Sequence, residues 1–200
     1  MTEILPQETN NFSKGSEWRK WDLHIHTPSS FYFNGTKKFI EMSNEEKIAE
    51  VKLFIEMVNN SDVAVFCLMD YWNFDFYLLF QEYIAENADE LKKTVFPGME
   101  LRIESPTDYR LNIHVILSDK LSKQELIDFK SELYIRSIDK KLSDDALIRF
   151  GKSLDESKAG KHGFANPQTL DNEKLLQLGS QTAEITQDSL RKAFNQIPFE

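Results

Sequence analysis

The stretch Trp18-Arg19-Lys20-Trp21-Asp22-Leu23-His24-Ile25-His26-Thr27-Pro28-Ser29-Ser30 decides how the chain is read. Two of the protein's four histidines stand in it, two residues apart. In an extended strand alternate side chains share a face, so Asp22, His24 and His26 are expected together, with Leu23 and Ile25 on the other side. Thr27-Pro28 then ends the strand, because proline has no amide donor and restricts the residue before it. Two imidazoles at a strand end, in line with a carboxylate, suit a metal ion, but two ligands do not complete a site. An edge strand that happens to carry two histidines has the same spacing, and the stretch alone leaves both readings open.

Working outward, residues 1–18 are polar and aperiodic and read as a loose lead-in to a domain covering 19–200. The first strand is expected over Lys20 to His26, followed by a loop around Phe31-Tyr32-Phe33-Asn34-Gly35. Ser43-Asn44-Glu45-Glu46 fits a capping box, and Ile48, Val51, Ile55 and Val58 then recur at helical spacing up to Asn59-Asn60-Ser61. Asp62 to Asp70 is a continuous apolar run, the pattern of a strand buried on both faces. A helix over Phe74 to Asn87 and strands over Thr94 to Ile103 and Arg110 to Ser118 follow, the last two joined by a turn at Ser105-Pro106-Thr107-Asp108. Beyond Ser118 the pattern turns helical: Ser122 to Tyr134, Asp144 to Leu154, Asp171 to Leu178 and Gln187 to Gln196. Strand–helix–strand alternation followed by helices predicts an α/β fold, with mainly parallel strands in the first half and a helical second half.

Each expected strand carries a potential ligand. The first offers His24 and His26, the second ends at Asp70, the third holds Glu100 within Pro97-Gly98-Met99-Glu100-Leu101, and the fourth carries His114 among aliphatics. Burying Glu100 and His114 without partners is costly, so pairing or a metal is expected for both. Singly, each reads more simply as a satisfied core histidine or a salt-bridged carboxylate; together with His24 and His26 they favour a metal.

The bulk properties narrow the classes. Hydrophobic residues make up 40% and charged residues 28% of 200 residues, a globular balance. No apolar run approaches a membrane span, and residues 1–20 contain no apolar signal region, so a cytoplasmic protein is expected. The single cysteine, Cys67, lies in an apolar strand and reads as a buried thiol. A net charge of −9 argues against a non-specific nucleic-acid coat but not against phosphates gripped through bound cations.

With these residues in place, the chain resembles the PHP (polymerase and histidinol phosphatase) family. The resemblance rests on Asp22-Leu23-His24-Ile25-His26-Thr27, a buried strand ending at Asp70, Pro97-Gly98-Met99-Glu100, and His114 in the following strand. It covers about residues 15 to 118, and the opening stretch is most similar to the N-terminal module of large PHP–ATPase (TrlF-like) proteins. The resemblance implies a partial or truncated form of a distorted (β/α) barrel that lacks its C-terminal part. It implies two divalent ions (Zn, Mn or Fe): His24 and His26 on one, Glu100 bridging to a second, and His114 on the second, with Asp70 orienting a ligand or a water. The implied activity is a metal-dependent phosphoesterase acting on phosphodiesters of nucleic acid or nucleotides. The implied setting is DNA repair or phage defence, with an ATPase region in the same or a partner chain.

Two departures bear on this. Where the family commonly ends its second strand Thr-Asp-His, this chain reads Met69-Asp70-Tyr71, which removes a ligand of a third metal. The family's late Asp-x-His is missing: the only histidine after His114 is His162, preceded two residues earlier by Gly160 and expected to be exposed in a loop. These departures support an alternative, a degenerate, non-catalytic PHP scaffold or partner-binding module. A metal hydrolase of C–N bonds ranks below both, since no lysine after His26 falls in an expected core strand.

Overall fold

A computed structural model of the chain describes residues 18–31, 33–35, 37–106 and 111–198. Its centre is a four-stranded sheet in the order β1 (Trp21–Ile25), β2 (Val65–Tyr71), β3 (Thr94–Ile103), β4 (Leu111–Ile116). The first three strands run parallel and β4 runs antiparallel to β3. The result is an open, curled, mixed half-barrel followed by helices.

The parallel part is built from two crossovers. α1 (Asn44–Asn59) starts where the sequence places it: Ser43 accepts from the Glu46 amide, and the Glu46 carboxylate accepts from the Ser43 amide at 2.6 Å. α2 (Asp75–Glu86) returns the chain from β2 to β3. Every residue of β2 is buried, as expected for a strand covered on both faces. Phe54, Phe76 and Phe80 pack edge-on between α1 and α2. Gly98 permits the close approach of β2 and β3, because a Cβ there would lie 2.5 Å from Cys67 Sγ and 2.9 Å from Leu68 O.

The second half contains α3 (Lys123–Ser131), a short hairpin β5 (Tyr134–Ile135) and β6 (Lys140–Lys141), α4 (Asp144–Ser153), α5 (Glu156–Gly160), α6 (Asn172–Thr182) and α7 (Gln187–Asn195). The four expected helices are present; the β5–β6 hairpin and α5 are additions, and α6 runs further, to Thr182. α4 and α6 pack closely where Gly179 faces the backbone of Leu147. The segment after α6 returns to the sheet: the Ile185 amide donates to Arg102 O at 2.8 Å, and the Glu104 amide to Ile185 O at 2.9 Å. Among the described residues, no helix is long and apolar enough to cross a membrane. Residues 1–17, most of the expected lead-in, and Thr107, Asp108 and Arg110 of the expected turn and strand lie outside the described residues.

Candidate metal centre

Strand register builds the site. Tyr71 lies opposite Glu100 across the parallel β2–β3 ladder, and Glu100 opposite His114 across the antiparallel β3–β4 ladder, so the three stand in one row across the sheet. β1 adds His24 and, just past its end, His26. Nε2 of His24 lies 3.1 Å from Glu100 Oε2, Nε2 of His26 lies 3.7 Å from it, and Nε2 of His114 lies 4.0 Å from it. His24, His26 and Glu100 offer donor atoms that all fall within 4.8 Å of one another. The His24 and His114 rings meet edge to face with centroids 4.4 Å apart, so His114 borders the same cluster.

Glu100 is 3% exposed, and its two oxygens face different partners. Oε2 faces the imidazoles. Oε1 accepts from the Tyr71 hydroxyl and, at 3.1 Å, from Asn112 Nδ2. Two donors on Oε1 engage both of its lone-pair directions and fix the carboxylate's rotation. The Tyr71 ring also stacks on His26, with centroids 5.4 Å apart and planes 12° from parallel. Tyr71, which the sequence marked only as the loss of a ligand, therefore braces two of the cluster's residues.

Asp70 stands beside the cluster. It accepts from the Thr27 amide at 2.7 Å, the Thr27 hydroxyl at 2.5 Å and the Ser29 hydroxyl at 2.7 Å, with His26 Nδ1 4.0 Å away. Burial pushes its carboxyl up from the ordinary range, an effect the Thr27 and Ser29 donors oppose. Asp70 thus pins the turn that follows β1, and with it the position of His26. Thr27 and Ser29 carried no signal beyond ending the strand.

Asp22 does not join His24 and His26. The pairing of β1 with β2 slips between Asp22 and Ile25, while Asp22 and His24 stay on the exposed side of the strand and Leu23 and Ile25 are part-buried. Asp22 Oδ1 instead accepts from the His24 amide at 3.3 Å. His162 is half-buried in the turn after α5 rather than exposed, and it is outside the cluster. Cys67 is a buried free thiol pushed up to about 12 by burial.

The donor set fits a divalent cation. Imidazole nitrogens with one carboxylate oxygen are ligands common to Zn²⁺ and other first-row ions. A buried carboxylate among imidazoles also lacks a full countercharge while those rings are neutral. Desolvation, the largest influence, lowers the pKa of His26, and His24 and His114 lower it further against the raising effect of Asp70 and Glu100. That holds His26 in the neutral form a metal requires.

A cleft of about 410 Å³ adjoins the cluster through Tyr71 and is lined also by Ser29, Phe31, Lys38, Trp72 and Ser180. Trp72 has φ 64°, a left-handed conformation unusual for a bulky side chain, and its indole donates to Ser180 O at 2.9 Å. Arg102 Nη1 donates to the same oxygen at 2.6 Å, so α6 is docked onto the ends of β2 and β3.

No protein-family model matches the chain, and no curated protein matches it.

Proposed function

We propose that the chain is a divalent-metal-dependent phosphoesterase module acting on phosphodiesters of nucleic acid or nucleotides. The observation that carries this reading is the convergence of His24, His26 and Glu100 donor atoms within 4.8 Å, bordered by His114. His24, His26 and Glu100 would hold the ion. A divalent cation there supplies Lewis-acid polarisation of a phosphoryl oxygen and lowers the pKa of a coordinated water. The protein's own part is to favour neutral His26, to aim Glu100 Oε2 through Tyr71 and Asn112, and to hold His26 in place through the Asp70–Thr27–Ser29 turn. A second cation, as the family resemblance implies, would be held by His114 and Glu100. A role within a DNA-repair or phage-defence assembly with an ATPase region belongs to the same proposal and rests on that resemblance alone.

The test is hydrolysis of bis(para-nitrophenyl) phosphate and para-nitrophenyl phosphate by protein loaded with Mn²⁺, Zn²⁺ or Fe²⁺. Diester cleavage that disappears in Glu100→Ala supports the proposal. Protein that binds the ion but leaves both substrates intact contradicts it and favours the non-catalytic scaffold.

A further inference from the structure

At the end of the sheet away from the histidines, the parallel strands start from a basic groove of about 510 Å³. The segments entering three successive strands lie side by side there: Arg19 and Lys20 before β1, Asp62 before β2, Lys92 and Lys93 before β3. Backbone bonds tie them together. The Ala64 amide donates to Lys20 O at 2.9 Å and the Thr94 amide to Ala64 O at 3.4 Å. Lys93 Nζ donates to Ser61 O at 2.9 Å, and Lys20 pairs with Asp62. Among the described residues, Arg19, Lys20, Lys92 and Lys93 line the groove together with Asp62, in a chain whose net charge is −9.

Aromatic surface accompanies the charge. Trp18 lines the same groove and is 100% exposed, and Trp21, at the start of β1, is 60% exposed. Exposed indoles among cations combine the two elements that bind single-stranded nucleic acid without sequence preference: charge that follows the phosphates and rings on which bases stack. β1 is an edge strand of the sheet and runs from the groove toward the cluster, with Trp21 and His24 both exposed on it. At about 3.3 Å per residue, the six steps of the neighbouring β2 set the two ends roughly 20 Å apart. A bound strand of several nucleotides covers that distance.

We infer that the groove at the start of β1–β3 is a binding site for single-stranded nucleic acid, which would deliver a phosphodiester toward the histidine cluster. The inference rests on the phosphoesterase reading for the purpose of the site, but binding itself does not require the cation.

The experiment titrates metal-free protein with an oligothymidylate of about 12 nucleotides, following tryptophan fluorescence and the polarisation of a labelled strand over a salt series. Binding quenches the fluorescence and weakens steeply with salt. Lys92→Glu/Lys93→Glu raises Kd about tenfold or more and flattens the salt slope by about 1.4, as expected for two lost phosphate contacts on a single strand. Trp18→Ala, at a fully exposed side chain that folding does not use, raises Kd by about fivefold or more. Unchanged affinity in both variants overturns the inference. So does binding to phosphatidylserine vesicles with none to the oligonucleotide. Hydrolysis of bis(para-nitrophenyl) phosphate separates the two proposals. A charge-dependent strand binder inert toward the diester keeps the groove and loses the enzyme; a protein that cleaves the diester but ignores the strand does the reverse.

Discussion

The Tyr71 hydroxyl donates to Glu100 Oε1 while Glu100 Oε2 faces His24 and His26, so one carboxylate is divided between a protein donor and the imidazole cluster. Removing the donor while keeping the ring isolates its effect. Tyr71→Phe preserves the stack on His26 and is expected to weaken metal binding about 10- to 100-fold, the usual cost of losing an outer partner of a ligand. Calorimetric titration with the metal, alongside a circular dichroism spectrum like that of the parent, checks this. Unchanged affinity would show that Glu100 needs no brace.

Asp70 holds the turn after β1 through three donors. Asp70→Asn places an amide NH₂ against Thr27 and Ser29 and breaks at least one charge-assisted bond. A loss of about 1.5–3 kcal/mol is expected, read by urea denaturation. Metal affinity is expected to fall with it, because His26 follows the turn.

Gly98 leaves no room for a side chain beside Cys67 and Leu68 O. Gly98→Ala is expected to cost about 1–3 kcal/mol through overpacking, lowering the thermal midpoint. It is also expected to loosen the β2–β3 register on which the Tyr71–Glu100 contact depends. The buried Cys67 thiol reports the same packing: it is expected to resist alkylation in the folded protein and to react faster in Gly98→Ala.

Acidity acts on the cluster through His26, whose pKa desolvation pushes below the ordinary value. A folded-state pKa below the unfolded one means that the unfolded chain binds the proton first. The contribution of His26 to stability is therefore full above about pH 6.5 and is lost as the pH falls through its lowered folded value. An NMR titration of the metal-free protein is expected to place the His26 midpoint below about 6.5. A midpoint above that value would contradict the burial argument.

Much of the frame was legible because it depends on local signals. Ser43 and Glu46 mark the start of α1 through contacts three residues apart, and the uninterrupted apolar run through Val65–Met69 marks a strand covered on both sides. His24 and His26 could be nominated from alternation and Glu100 from the cost of burying it; His114, nominated on that same cost, is exposed at 39% and meets the cluster from the sheet's open side. Register was not legible. Tyr71 meets Glu100 because β2 and β3 align in one particular way, and alternation gives a residue's face without its partner. Alternation gave Asp22 its side of β1 but not its partner, which is the His24 amide. The β5–β6 strands have two residues each, too few to show any period. His162 looked exposed because its glycine-rich surroundings suggested an open loop, whereas α5 packs beneath that turn through the fully buried Ala159.

The most direct measurement is metal stoichiometry and affinity by calorimetry and elemental analysis, for the parent protein and for His24→Ala and Glu100→Ala. The account expects bound divalent metal in the parent, and loss of that binding in each variant while the fold is retained. A parent protein that takes up no Zn²⁺, Mn²⁺ or Fe²⁺, or variants that bind as the parent does, would contradict it.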